Sequence, residues 1–202
     1  MTRWGMVLDL TTCVGCYACS VACKVENGTP PGVWLAPVYE KEVGTYPTVK
    51  RVFLPALCMH CKDAPCVKAC PTRAITKRAD GIVTVNHDVC CGSRACVAAC
   101  PYGALHYVEE IKSEFGGELT PFERALYKDG RVVGTVMKCT FCVHRIDQGI
   151  YEPACVQTCP TRCRVFGDLD DPNSEVSRLI RQRNGVQPRP EAGTDPSVYY
   201  LR

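Results

Sequence analysis

The chain has 202 residues, 22% of them charged, and a net charge of +3. Lys and Arg are scattered with no basic stripe, which argues against nucleic acid as a partner, and no apolar run approaches the roughly 18 residues that a membrane span needs. The cysteine count stands out: 17 in a chain of this size demand a disulfide framework, zinc or iron–sulfur clusters. Disulfide scaffolds are mostly short secreted domains, and no secretory leader opens this sequence, so reduced thiols are the expectation.

Residues 4–10 alternate and are rich in β-formers, which predicts a short strand. It leads into Cys13-Val-Gly-Cys16-Tyr-Ala-Cys19-Ser-Val-Ala-Cys23, a C-x2-C-x2-C-x3-C run. Three thiolates this close hold three irons of one cubane, while the fourth, a helical turn further on, ligates a different cluster. Residues 27–32 are turn-dense. Residues 33–49 read as extended, with Trp34, Tyr39 and Tyr46 expected to pack over clusters. A second strand over 51–57 precedes Cys58-Met-His-Cys61-Lys-Asp-Ala-Pro-Cys66-Val-Lys-Ala-Cys70-Pro71. Residues 74–76 and 82–85, joined at Asp80-Gly81, predict a β-hairpin.

The third run reads Cys90-Cys91-Gly92-Ser93-Arg94-Ala95-Cys96-Val-Ala-Ala-Cys100-Pro101. Residues 109–127 are polar and read as an inserted surface segment. Asp129-Gly130, with Val132, Val133 and Val136 beyond it, predicts another hairpin. The fourth run is stretched: Cys139-Thr-Phe-Cys142, twelve residues, then Cys155-Val-Gln-Thr-Cys159-Pro160. Asn173-Ser174 caps a predicted helix through Arg183, with Val176, Leu179 and Ile180 on one face. Beyond Asn184 prolines and glycines predict an irregular tail.

Zinc knuckles also use C-x2-C pairs, but a closed tetrahedron draws on two well-separated pairs. Here the last two cysteines of each run lie about a helical turn apart, which directs them to two metals and favours iron–sulfur. Pairing outer run with outer and inner with inner gives an α+β fold. It has two bacterial-ferredoxin-like units, one inserted in the other, with hairpins and an irregular tail. The first unit spans 1–50 plus 135–170, the second 51–108, with an insertion at 109–134 and a C-terminal helix and tail at 171–202. Cys13, Cys16, Cys19 and Cys159 then hold one cluster, and Cys139, Cys142, Cys155 and Cys23 the second. Cys58, Cys61, Cys66 and Cys100 hold the third, and Cys90, Cys96 and Cys70 the fourth.

That fourth site is a ligand short, because Ser93 takes the second position and an extra cysteine, Cys91, sits beside Cys90. Three outcomes are available: a [3Fe-4S] cluster, a [4Fe-4S] cluster with the Ser93 oxygen on iron, or one recruiting Cys91. Adjacent side chains diverge, which counts against Cys91. Four iron–sulfur clusters are expected, three [4Fe-4S] and a fourth that is [3Fe-4S] or [4Fe-4S]. Cys163 reads as a small buried hydrophobe. His60 and His144, next to ligand cysteines, either tune a cluster through an N–H···S bond or pack against backbone.

The first run, Ala99-Cys-Pro-Tyr-Gly-Ala104, Lys138-Cys-Thr-Phe-Cys-Val-His-Arg145 and Phe166-Gly-Asp-Leu169 carry a family likeness. Over residues 4–185 the chain resembles the four-cluster electron-transfer (beta) subunits of molybdopterin oxidoreductases in the DMSO reductase superfamily, most of all those of polysulfide and thiosulfate reductases. The resemblance implies a subunit with no catalytic residue and no membrane span of its own. It would relay single electrons between a large molybdopterin (Mo or W) catalytic subunit and a quinone-reactive membrane anchor subunit. It would be membrane-associated through those partners, on a side the sequence does not specify. The first run's cluster would lie nearest the catalytic subunit and the third run's at the far terminus. Nitrate-reductase-type relatives carry tryptophan at the place of Ser93 and a [3Fe-4S] cluster there. A free polyferredoxin, a hydrogenase-type electron-transfer subunit and a zinc-stabilised binding module are the competing readings.

Overall fold

The computed structural model describes residues 2–127 and 132–202. Its central strand is β1 (Trp4–Asp9), buried at every position after Trp4. A three-stranded sheet forms around it in the order β8-β1-β9. Strand β8 (Arg164–Asp168) runs antiparallel, with Leu8 facing Arg164 and Met6 facing Phe166. Strand β9 (Val198–Leu201) runs parallel, with Met6 facing Val198 and Leu8 facing Tyr200.

Strand side chains alternate between faces, and the two faces of this sheet do different work. Met6, Leu8, Val198 and Tyr200 join the core that holds the buried cysteines. Val7 and Leu201 point the other way and meet Val176 of helix α7 (Glu175–Gln182). That helix starts where the sequence predicts: the Ser174 hydroxyl accepts from the Ser177 amide at 3.2 Å. Leu179 and Ile180 pack beside the fully buried Val176. Arg183, just past the helix, forms an ion pair with Asp9. Burial opposes the charge on Asp9, but the Thr11 hydroxyl and Arg183 outweigh it and lower its pKa.

The expectation of an irregular tail is corrected. After a 3-10 turn at Pro190–Ala192 the chain enters β9 and completes the main sheet. On the way it is tied to the second cysteine run, with the Ser197 amide donating to the Met59 carbonyl at 2.8 Å and its hydroxyl to the His60 carbonyl at 2.9 Å. Val-Tyr-Tyr-Leu has no polar alternation to read, and its partner strand lies at the other end of the chain.

Strands β2 (Val38–Val43) and β3 (Lys50–Pro55) pair as an antiparallel ribbon that is mostly exposed. The aromatics here do not cover the core: Tyr46 is 89% and Tyr39 58% exposed, and Trp34 is 40% exposed beneath the Lys24 ammonium. Strands β4 (Ile75–Lys77) and β5 (Val83–Val85) make the predicted hairpin, with Ile75 opposite Val85. Strand β6 (Leu105–Tyr107) pairs with β7 (Val136–Lys138), so Val136 returns to Tyr107. The hairpin expected at Asp129-Gly130 lies outside the described residues.

The inserted segment contains a helix that is not among the predicted elements, α4 (Pro121–Leu126). Thr120-Pro-Phe-Glu123 is a capping box with proline in the first turn, a pattern visible in sequence. The Thr120 hydroxyl accepts from the Glu123 amide at 3.2 Å, and the Glu123 carboxylate accepts from the Thr120 amide at 2.8 Å. The same carboxylate takes the Ser113 hydroxyl and the Glu114 amide. These donors, the Thr120 amide first, hold its pKa near about 2. Among the described residues no helix is long and apolar enough to cross a membrane.

Glu123→Gln turns one acceptor oxygen into a donor and breaks this arrangement. Limited proteolysis of the variant should cut within residues 113–127 at least several-fold faster, with iron content unchanged.

Candidate metal centres

The four cysteine runs repeat one backbone path. The residue before each second ligand position is left-handed: Gly15 (φ 66°), His60 (φ 43°), Gly92 (φ 68°) and Phe141 (φ 53°). For the two bulky residues this conformation costs on the order of 1–3 kcal/mol each. They sit at equivalent places in runs two and four and stack on each other, ring centroids 3.8 Å apart. Tyr17 and Arg94, both at φ 59°, start helices α1 (Ala18–Asn27) and α3 (Ala95–Ala99). Cys142, at φ 53°, starts the short helix α5 (Val143–Ile146). Runs one and three are therefore superimposable in kind, which equates Cys13 with Cys90, Cys16 with Ser93, Cys19 with Cys96 and Cys23 with Cys100. Cys91 falls on the place of Val14, and both are exposed.

The exits from the runs repeat as well. Cys70-Pro-Thr-Arg73 and Cys159-Pro-Thr-Arg162 each turn on a left-handed arginine, at φ 55° and 52°, where Cys100-Pro-Tyr-Gly103 uses glycine at φ 61°. Each of these residues donates its amide to the preceding cysteine's carbonyl, at 3.3, 3.2 and 3.3 Å respectively. The turn also presents donors to sulfur. Thr72 and Thr161 hydroxyls stand 3.9 and 3.8 Å from Cys70 and Cys159. Burial works against ionising both thiols, yet the Ile75 and Arg164 amides with these hydroxyls bring both pKa values below the usual range.

Tertiary packing gathers the cysteines into four sets. Cys13, Cys16, Cys19 and Cys159 line one cavity. Cys58, Cys61, Cys66 and Cys100 line a second. Cys139, Cys155 and Cys142 crowd Cys23, and their charges add to burial in raising its pKa. Cys70 and Cys90 crowd Cys96 in the same way. Among the described residues no three Cys, His, Asp or Glu side chains converge on a point for a single metal ion; the first and third sets surround cavities. Burial raises Cys61 and Cys155 to about 11 and Cys66 to about 12. Ligation by a cationic core would therefore release protons.

Helices link the sets. Helix α1 carries Cys19 and Cys23 and packs on α6 (Ala154–Gln157), which holds Cys155 and leads to Cys159. Helix α2 (Pro65–Lys68) runs from Cys66 toward Cys70 and packs on α3, which runs from Cys96 toward Cys100. The charge of Cys58 reaches Cys139, which joins the second and third sets. The end sets reach the surface, with Cys16 exposed and Cys70 and Cys90 half-buried, whereas Cys58, Cys61, Cys66, Cys139, Cys142 and Cys155 are buried.

Four other side chains complete these sites. Cys163 is buried as the sequence suggested, but it also lines the first cavity and stands against Cys13. Of the two histidines, His144 bonds Glu26 at 2.7 Å on the surface. His60 is fully buried; its Nδ1 accepts from the Val83 amide at 3.0 Å, which places the proton on an unpartnered Nε2. Burial, then the nearby Lys138 ammonium, keeps this ring neutral. Lys138 and Arg164 were not foreseen. Lys138 donates to the carbonyls of Val83 and Cys139 and lies near Cys66. Arg164 is in phase with Phe166 on β8, a strand not among the predicted elements, so its inward phase became visible only with the fold.

Clustered thiols, sulfur-directed amides and hydroxyls, and free N–H donors suit an iron–sulfur cluster, whose cationic core becomes a net anion once its thiolate ligands are counted, and the class of protein these sites define is an iron–sulfur protein. Residues 49–116 and 117–169 match the 4Fe-4S dicluster domain. The chain is 44% identical to the arsenate respiratory reductase iron–sulfur subunit ArrB of Shewanella sp. (strain ANA-3), covering 99% of this chain and 96% of that protein. It is 42% identical to a subunit of the selenate reductase of Mesobacillus selenatarsenatis, covering 98% and 72%. Against a subunit of the tetrathionate reductase of Salmonella typhimurium the identity is 38%, covering 98% and 72%. The chain belongs to the 4Fe-4S dicluster family, among the iron–sulfur electron-transfer (beta) subunits of molybdopterin oxidoreductases.

A methyl group on Gly92 would sit 2.5 Å from the Gly134 carbonyl oxygen at a backbone φ of +68°. Gly92→Ala should lower the iron content of the chain by disturbing the turn that carries Cys90 and Ser93, as read by iron analysis. The signals of the other sets should persist.

Proposed function

We propose that this electron-transfer subunit is a four-cluster wire whose order is set one, two, three, four. The single observation that carries it is the chain of linked cysteine sets, buried in the middle and near the surface at both ends. Cys13, Cys16, Cys19 and Cys159 hold the first cluster, and Cys139, Cys142, Cys155 and Cys23 the second. Cys58, Cys61, Cys66 and Cys100 hold the third, and Cys90, Cys96 and Cys70 the fourth. Iron–sulfur clusters bound there supply one-electron carriers with potentials between about −700 and +450 mV. The packing of α1 on α6 and of α2 on α3 supports a ferredoxin-like unit at 51–108 inserted in one formed by 1–50 and 135–170. The first stretch matching the dicluster domain begins at residue 49, two residues before that unit.

At the fourth site Cys91 falls on the place of Val14 rather than on a ligand position of the run, which supports leaving it out of the ligand set. Three cysteines and Ser93 remain, and we read the site as [3Fe-4S]. The other three sites are [4Fe-4S].

The relatives named above are subunits of arsenate, selenate and tetrathionate reductases, so a large molybdopterin catalytic subunit is the partner proposed here. It would dock where Cys16, Val14 and Tyr17 are exposed. A membrane anchor subunit at the fourth set would complete the relay and hold the complex at the membrane. A free polyferredoxin would purify without either partner.

Low-temperature EPR with iron and sulfide analysis tests the wire. The anaerobic complex should carry about 15 irons per chain and a three-iron signal when oxidised. Ser93→Cys should add one iron and abolish that signal, while Cys91→Ala should change neither. Zinc in place of iron and acid-labile sulfide would overturn the reading.

A further inference from the structure

Arg164 is only 2% exposed and is the largest of the fully buried side chains. A cation this deep is ordinarily paired with a carboxylate, because an unpaired buried charge loses its hydration for nothing. Among the described residues no carboxylate bonds it. Its Nη1 has two sulfur neighbours, Cys155 Sγ and Met6 Sδ, each at 3.9 Å. Its Nη2 makes no hydrogen bond. The same side chain lines the cavity formed by Cys13, Cys16, Cys19 and Cys159. One guanidinium therefore stands against two cysteine sets at once. Burial works against its charge, but the thiolates of Cys155, Cys19 and Cys163 outweigh that and raise its pKa.

Lys138 shows the alternative arrangement. Its ammonium is taken up by two backbone carbonyls, so its charge is already solvated by protein. The guanidinium of Arg164 keeps an unused face, and what adjoins it is sulfur.

We propose that Arg164 is a fixed counter-charge shared by the first and second clusters, a positioning residue that raises the reduction potential of both. Reduction adds one negative charge to a cluster, and a cation held nearby in a medium of low dielectric stabilises the reduced form over the oxidised one. Because the side chain is shared, both potentials move together, and those of the third and fourth clusters stay where they are. This rests on the four-cluster reading above.

The test is an anaerobic redox titration of the complex by low-temperature EPR, with iron counted per chain, for wild type, Arg164→Met and Arg164→Lys. Arg164→Met should keep its iron and lower the first two midpoints together. At each wild-type midpoint the reduced-to-oxidised ratio should fall about tenfold, about 59 mV for a one-electron couple. Arg164→Lys, which keeps the charge, should restore most of that ratio. Four unchanged midpoints in an iron-replete Arg164→Met protein would overturn the proposal, as would a shift spread evenly over all four. Should Arg164→Met lose iron, Arg164→Lys decides: wild-type midpoints uphold the charge role, and a tenfold fall at full iron overturns it. Wild-type protein without iron–sulfur signals would bring down the relay reading itself, and that is seen before any variant is made.

Discussion

Crowded thiolates in a small core are the constraint that the rest of this structure answers. The third set sits almost entirely inside the molecule, the second wholly so, and each cysteine raises the cost of ionising its neighbours. Three devices offset that cost. Left-handed turns direct backbone amides and threonine hydroxyls at Cys70 and Cys159. Two basic side chains, Arg164 and Lys138, are buried among the sets. His60 adds a neutral ring with a free N–H in the same region. The positive charge of a metal core would supply the remainder, which is why metal binding and folding are one process in sites of this kind.

The scaffold is correspondingly lean. One three-stranded sheet and several helices of four to ten residues carry the runs. Its inner face presents Met6, Leu8 and Arg164 to the cysteines, while its outer face is closed by α7. Pseudo-symmetry does the rest. Cys19 and Cys23, Cys66 and Cys70, Cys96 and Cys100, and Cys155 and Cys159 each lie four residues apart along or just beyond a helix, so the spacing between the first and second sets and between the third and fourth is that of a helical turn. The stacked pair of His60 and Phe141 marks the place where the second and fourth cysteine runs meet.

Relay of electrons asks little of such a molecule beyond order and potential. The linked sets provide order. Potential is left to what surrounds each set, and there the sets differ: Arg164 stands against the first two, Lys138 lies between the second and third, and the fourth has Ser93 where the first has Cys16. In the proposed relay, exposure at the two ends would let electrons enter and leave, with the ligands between them mostly buried.

The cysteine runs, the hairpin at Ile75–Val85 and the cap of α7 were legible because each depends on residues a few positions apart. Ligand spacing, a turn at Asp80-Gly81 and a serine before an apolar face are local facts. The capping box at Thr120 is equally local, but the polar composition around it reads as surface and hides the helix. Other features had no local sign. The parallel pairing of β9 with β1 joins the two ends of the chain. The exposure of Tyr39 and Tyr46 follows from a ribbon that leaves the core, although their composition suits a core. Arg164 reads as a surface charge until β8 places it opposite Leu8. Sequence spacing determined which cysteines could share a metal centre. Only the tertiary structure decided which charges stand beside each set, because burial and electrostatics depend on contacts between residues far apart in the chain.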